Sequence, residues 1–295
     1  NYTAGLHNDP IEKKPFFHVL PGSMAMSFGM LGCDFRCSYC QNWFTSQTLR
    51  DATSTADMQP GTPETICRQA QCAGARTVVS TYNEPLITSE WAVAVFKEAR
   101  RLGLRTAYVS NGHGTEPALD YLRPWLDMIN IDLKSFQAKN YHRLGGHLDA
   151  VLDTIRRVHA YGLWLEVVTL VVPGFNDSDR ELADMAEFIA SVSCYIPWHV
   201  TGFYPTYKMI DRPATATAAL KTAREAGKRA GLKFVYSGNR PGALAGGEDT
   251  HCPGCGATLI ARAGYHVLGN RLRDGACPEC ATAIPGLFEA AARNW

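Results

Sequence analysis

The sequence has almost no charge imbalance: 29 lysines and arginines face 28 aspartates and glutamates, a formal net charge of +1. No global field therefore draws the chain toward nucleic acid or an anionic membrane. It also lacks a long hydrophobic run. The stretch 163–173 is too short to span a bilayer, and Glu166 interrupts it. Ten cysteines in 295 residues fall short of the density of a disulfide-stapled secreted domain. The 26 glycines and 16 prolines follow no period, and no segment is low in complexity, which excludes a collagenous or disordered chain. What remains, 46% hydrophobic and 19% charged residues, is enough for one large domain, or one domain with a small appendage. The chain starts at Asn1 without a methionine, so targeting is not judged from it.

The cysteines are few but grouped. Cys33, Cys37 and Cys40 form C-x3-C-x2-C; Cys252, Cys255, Cys277 and Cys280 form two C-x2-C pairs. Seven of the ten thus sit at metal-ligand spacing. Cys67, Cys72 and Cys194 are left over and read as small hydrophobes. Thiolate ligands need reduced sulfur, which points to a reducing cytoplasm.

From residue 23 to about 240, short apolar strands alternate with amphipathic helices. Strands are expected at 24–31, 77–82, 105–110, 128–133, 163–172, 198–204 and 233–236. Helix signals lie between them. Thr62-Pro63-Glu64 offers a cap, a proline for the first turn and an acid for the dipole. Ser178 and Glu181 have capping-box spacing. This alternation predicts an α/β fold, a partial or near-complete parallel (β/α) TIM-like barrel. Residues 1–22, broken by Pro10, Pro15 and Pro21, read as an irregular N-terminal extension. Residues 23–245 read as the barrel and 246–295 as a small metal-bound tail behind a Gly246-Gly247 linker. In that tail the basic Arg262, Arg271, Arg273 and Arg293 are balanced by acids that include Glu279 and Glu289.

Barrel sites form at the C-terminal ends of strands, and polar residues cluster there: Asn83-Glu84, Ser110-Asn111 and Asp132 with Lys134. By the period of two, Asn130, Asp132 and Lys134 share one face, as do Glu166, Val168 and Leu170. A charge inside a strand, as at Glu166, needs a partner or a ligand. The segment 135–148, with Gly145-Gly146, reads as a loop able to act as a lid.

The loop Cys33-Asp34-Phe35-Arg36-Cys37-Ser38-Tyr39-Cys40 supplies three thiolates, enough for three irons of a [4Fe–4S] cluster, with the fourth iron open to a chelator. A structural zinc loop, or a cluster completed by a distant cysteine, would use the same residues. C-x3-C-x2-C with an aromatic, Tyr39, before the last cysteine resembles the radical S-adenosylmethionine (SAM) superfamily. Tyr82-Asn83-Glu84-Pro85 stands where that superfamily has Gly-Gly-Glu-Pro, with Tyr and Asn in place of both glycines. Ser110-Asn111, Asp132-Leu133-Lys134 and Val172-Pro173-Gly174 are similar to segments of glycyl-radical-activating enzymes. Val168 stands where those enzymes carry an arginine, and His199 matches a late histidine near the nucleoside.

A narrower resemblance, covering nearly the whole chain, is to the AmmeMemoRadiSam-system enzymes. It rests on the stretch 9–15 (Asp-Pro-Ile-Glu-Lys-Lys-Pro), Cys40-Gln41-Asn42-Trp43, Tyr204-Pro205, Gly238-Asn239 before Pro241-Gly242, and the paired-cysteine tail. The resemblance implies a [4Fe–4S] cluster on Cys33, Cys37 and Cys40. It implies SAM contacts at Tyr39, Tyr82, Asn83, Glu84, Ser110, Asn111, Asp132, Lys134, Glu166 and His199. The reaction implied is reductive cleavage of SAM to a 5′-deoxyadenosyl radical that takes hydrogen from a protein or small-molecule substrate. Implied partners are an electron donor such as flavodoxin or ferredoxin, and AMMECR-like and Memo-like proteins. The alternatives are a glycyl-radical-enzyme activating enzyme and, in another class, a non-catalytic iron–sulfur and zinc electron carrier. The tail knuckles supply four thiolates for one Zn2+ or Fe ion, with Gly256 following the first pair and Ala281 the second.

Overall fold

A computed structural model of the chain describes residues 2–54, 56–240, 242 and 244–288; Pro241, Glu289 and Arg293, read above, lie outside the described residues. The strands are β1 (Tyr2–Thr3), β2 (Leu6–Pro10), β3 (Met24–Phe28), β4 (Gln59–Pro60), β5 (Ala75–Ser80), β6 (Arg105–Ser110), β7 (Met128–Asp132), β8 (Trp164–Val171), β9 (Trp198–Gly202), β10 (Val235–Gly238), β11 (Thr250–His251), β12 (Thr258–Ala263) and β13 (His266–Asn270). The helices are α1 (Trp43–Ser46), α2 (Pro63–Cys72), α3 (Ser89–Arg101), α4 (Glu116–Leu122), α5 (Ala138–Leu144), α6 (Leu148–Ala160), α7 (Asp179–Val192) and α8 (Thr217–Arg229). The main sheet runs β10-β9-β8-β7-β6-β5-β3-β2, parallel throughout except for β2. Its end strands β10 and β2 do not pair, so the barrel is partial.

The period of two sorts the barrel strands. One face packs Ile129, Ile131, Leu165 and Val167 against the apolar stripes of the helices, such as Val151 and Ile155 of α6 and Leu182 and Met185 of α7. The other face, with Ala25, Val79, Ala107 and Met128, is covered by the N-terminal segment through Ile11, Phe16, Val19 and Leu20. Residues 2–22 are therefore more than an irregular extension. They contribute β1, β2 and a plug that fills the barrel interior.

Side chains from the strands hold the backbone of this plug. Asn130 Nδ2 donates to Pro15 O at 2.8 Å, and the Phe17 and His18 N–H groups donate to Glu166 at 3.0 Å each. Lys14 N donates to Ile11 O within the segment and Ser23 N to Leu20 O at its end, and strand side chains satisfy buried donors and acceptors that these turns leave open.

Two cap expectations resolve differently. Thr62 and Thr65 form a reciprocal capping box at the start of α2. Ser178 accepts from Glu181 N, but the Glu181 carboxylate turns away to accept from Ser135, the Phe136 N–H and Gln137. Glu181 thereby fixes the start of 135–148, a segment that lies closed against the cysteine loop. It contains α5, closed by Gly145 at φ 95°, and Gly146 lies so close to Phe35 that an added Cβ would sit 2.2 Å from its ring.

The tail sheet β11-β12-β13 is antiparallel and packs Leu259, Ile260 and Ile284 against Phe17, Phe234 and Tyr236. Gly247 is no free linker: its carbonyl accepts from Ser237 N at 2.8 Å at the end of β10. Arg262, buried, joins tail to plug. It donates to Phe17 O at 2.7 Å and to Thr250 at 2.8 Å, lies 3.5 Å from Glu12 Oε1, and its guanidinium stands 4.3 Å from the Phe17 ring centroid. No helix among the described residues is long and apolar enough to cross a membrane.

Candidate functional site

A cavity of about 350 Å³ opens at the C-terminal ends of the barrel strands. Cys33, Cys37 and Cys40 line it, on the loop between β3 and α1, and none of the other cysteines does. The loop is held on every side. Gly32 N donates to Thr45 O at 2.9 Å, Arg36 N to Leu144 O at 2.8 Å, and Lys208 N to Ser38 O at 3.0 Å. Gln47 and Arg50 both donate to Phe35 O. These bonds fix the backbone that presents the three thiols.

The thiols themselves stand in apolar surroundings. Burial pushes the Cys37 thiol up to about 12 and raises Cys33, where Glu84 and Asp34 add to the effect. Three bare thiolates here would be costly, so the donor set calls for a cationic centre between them. Three inward thiols with no fourth cysteine fit three irons of a cubane with one corner free. The chemistry of the donors therefore agrees with a [4Fe–4S] cluster.

Glu84 lies beside them at the end of β5, fully enclosed. It accepts from Ser110 Oγ at 2.7 Å, Asn111 N at 2.6 Å and Leu86 N at 2.9 Å. Burial, with Asp34 nearby, pushes its carboxyl up to about 8 against these donors. A cationic group in the cavity would lower that value. Asn111 extends the network, donating to Asp34 Oδ1 at 2.7 Å, whose other oxygen meets His113 Nδ1 at 3.1 Å. Asp34 and His113 were not singled out in the sequence; only the position of Asp34 directly after Cys33 pointed to it.

Lys134 bonds Asp132 at 2.7 Å across the cavity wall. Burial works against its ammonium, but Asp132 holds it well above the ordinary lysine value. Tyr39 is buried against Phe175, ring centroids 5.4 Å apart. Tyr82 also lines the cavity, at a φ of 75°, with its hydroxyl accepting from Lys14 Nζ at 2.9 Å. Asn83 Oδ1 accepts from Met30 N at 3.0 Å and so clamps the start of the cysteine loop.

Glu166 is placed differently from the rest. It shares the inward face with Val168 and Leu170, which line the cavity, but lies deeper, at the level of the plug. It accepts from four donors: Phe17 N, His18 N, Trp164 Nε1 and His199 Nε2. These fill its lone pairs. Burial disfavours its charge, yet His199 at 2.6 Å holds the carboxyl below the ordinary value. Glu166 thus reaches the cavity through two of its partners, His199 and Phe17, which do line it.

The second centre is in the tail. The sulfurs of Cys252, Cys255, Cys277 and Cys280 lie within 4.8 Å of one another, with Cys252–Cys280 at 3.5 Å and Cys255–Cys277 at 3.7 Å. A tetrahedral ion with metal–sulfur bonds of about 2.3 Å needs sulfurs about 3.8 Å apart. Gly254 N donates to Cys252 Sγ at 3.4 Å, and Gly256 and Ala281 both turn the chain at positive φ, 77° and 59°. The four thiols can hold one metal ion.

The Radical SAM superfamily profile matches residues 29–189, more than half of the chain. The chain is 36% identical over 256 residues to an uncharacterized protein of Methanocaldococcus jannaschii, covering 86% of this chain and 74% of that one. It is 24% identical over 213 residues to the pyruvate formate-lyase-activating enzyme of Staphylococcus aureus, covering 65% of this chain and 84% of the relative. It spans only 44% of the isethionate sulfite-lyase activating enzyme of Oleidesulfovibrio alaskensis, at 28% identity. In fold it is similar to Streptococcus suis SuiB bound to S-adenosylmethionine, with a TM-score of 0.57 and 15% identity over 77% of this chain and 52% of that one. The cysteine loop, the partial barrel around it and the profile that begins at Gly29 agree: the chain belongs to the Radical SAM superfamily.

Proposed function

We propose that this enzyme cleaves SAM reductively at a [4Fe–4S] cluster on Cys33, Cys37 and Cys40, in the manner of the AmmeMemoRadiSam-system enzymes. The observation that carries this reading is that these three thiols and the Glu84 carboxylate line one cavity while every other cysteine is elsewhere. When bound, the cluster and SAM supply one electron and the 5′-deoxyadenosyl radical that abstracts hydrogen.

The chain's own residues hold and enclose. Glu84, braced by Ser110 and Asn111, accepts from the ammonium of the cofactor. Asp132 and Lys134 offer an acceptor and a donor on the opposite wall. Tyr39, Tyr82 and Asn83 shape the approach, and Val168 and Leu170 exclude water. His199, oriented by Glu166, would meet the nucleoside of bound cofactor. A flavodoxin or ferredoxin supplies the electron in a reducing cytoplasm, and AMMECR-like and Memo-like proteins are the partners to look for by copurification. The tail ion, zinc or iron, serves to fold the tail.

A second reading, activation of a glycyl-radical enzyme, draws on the similarity to activating enzymes over 65% of this chain. A partner's glycine loop would then enter beside Tyr265 and Tyr204. The first test is anaerobic reconstitution with iron, sulfide, dithionite and SAM. The expected product is 5′-deoxyadenosine with wild type and none with Cys37→Ala. No product with wild type, or equal product with both, refutes the proposal.

A further inference from the structure

The cavity has two ends. The cysteine loop, Glu84 and Asn111 form one. The other is walled by the plug through Lys14 and Phe17, by Thr201 and Asn239 at the ends of β9 and β10, and by Tyr265 of the tail. A second cleft of about 290 Å³ adjoins the cavity, sharing Phe17, Gly238, Asn239 and Tyr265 with it and, beside Cys40, Gln41. One volume of ligand size thus adjoins another, and the second opens between barrel and tail.

We infer that the far end is a substrate subsite in which the Lys14 ammonium recognises an anionic oxygen group, a carboxylate or a phosphate. The inference rests on the reading of the cysteine end as the cofactor end. Lys14 is 4% exposed, a rare state for a lysine. An ammonium has three donors. Two are used, on Asp9 Oδ2 at 3.1 Å and the Tyr82 hydroxyl at 2.9 Å; the ammonium also lies 4.7 Å from the Tyr82 ring centroid, and no third hydrogen-bond acceptor is found among the described residues.

Charge accounting points the same way. Asp9 is shared by Lys14 and Lys13, the latter at 2.9 Å and half exposed to solvent, so one carboxylate serves two ammonium groups, while Glu248 on the wall of the second cleft accepts from Gly264 N at 2.8 Å. The nearby Glu12 is already paired with Arg262. Tyr82, which stands in the Tyr82-Asn83-Glu84-Pro85 turn of the cofactor end, carries the contact from that end to Lys14. A non-glycine residue at φ 75° is strained, and such strain persists where the surroundings fix a side chain for use. Here the strained turn puts the Tyr82 hydroxyl against Lys14 on the cavity wall. Burial also lowers the Lys14 pKa, opposed by Asp9, and an arriving anion would reverse that shift.

The test is anaerobic calorimetry on cluster-reconstituted protein saturated with SAM, titrated separately with malonate, inorganic phosphate and uncharged malonamide. One of the two anions is expected to bind and the amide not to; which anion binds distinguishes carboxylate from phosphate. Lys14→Met should weaken that binding at least tenfold, while Lys221→Met, on exposed α8, should not change it. In wild type, the same anion should slow acylation of Lys14, read by mass spectrometry, several-fold more than that of Lys221. That measurement decides the matter if Lys14→Met fails to fold. Binding of neither anion, equal binding to Lys14→Met, equal binding of malonamide, or displacement of the anion by SAM would overturn the assignment. Failure of the SAM-cleaving reading would show separately, as absent 5′-deoxyadenosine.

Discussion

Glu166→Gln separates a structural hub from a cofactor ligand. The substitution keeps shape and volume but replaces two acceptor lone pairs by two donors. Whichever way the amide turns, its NH2 faces two of the four present donors. Turned toward Oε2's partners, it can meet His199 only if Nε2 accepts, and it opposes Phe17 N; turned the other way, it opposes His18 N and Trp164 Nε1. At least one buried backbone N–H is orphaned, at about 1–3 kcal/mol, and the charge-assisted bonds of the others are lost. The expected cost is about 2–5 kcal/mol. The assay is urea unfolding at pH 7 with amide exchange read at Phe17 and His18. Both amides should exchange much faster in the variant, because they hold the plug in the barrel. Glu166 is also held below its ordinary pKa of 4.5. Its contribution is therefore complete above pH 4.5 and fades as pH falls through the lower folded value, and the variant should lack that part of the acid limb. A stability change under about 0.5 kcal/mol with unchanged exchange would refute the hub.

Three further outcomes follow from single contacts. His18, fully buried, donates from Nδ1 to Pro285 O and accepts at Nε2 from Tyr236, so it is neutral, and burial lowers its pKa from 6.5 to about 4. The unfolded chain alone takes up this proton, so stability should fall by about 3 kcal/mol between pH 6.5 and 4; a flat urea midpoint over that window contradicts it. Gly146→Ala drives a methyl into the buried Phe35 ring and should cost about 1–3 kcal/mol, with poorer iron retention; an unchanged melting temperature contradicts it. Ala281→Gly relieves a left-handed residue at φ 59° and should stabilise the metal-loaded tail by about 0.5–1 kcal/mol, read as slower metal loss to a chelator; faster loss contradicts it.

The parallel strands were legible because each is a short apolar run followed by helix signals, and the observed bounds differ from the expected ones by a few residues at most. The cysteine loop and the tail knuckles were legible because ligand spacing is local. The plug was not. Residues 10–22 carry no helix or strand period, and their partners, Asn130, Glu166 and Arg262, lie more than a hundred residues away. The inward face of β8 was read correctly, but depth along a strand is set by what fills the barrel. Val168 and Leu170 therefore reach the cavity while Glu166 meets the plug. Lys14, quoted only as part of the stretch 9–15, carried no role for the same reason: a lysine in a charged stretch reads as solvated until the fold buries it. Gly246-Gly247 and 135–148 were read as loose from their glycines, whereas Gly146 and Gly247 mark close packing.

The most direct test of the central claim is Mössbauer spectroscopy of the 57Fe-reconstituted protein with and without SAM. Three protein thiolates and one free corner predict that one iron of the four changes its signal when SAM is added and three do not. Four irons that remain alike and unmoved by SAM would contradict it.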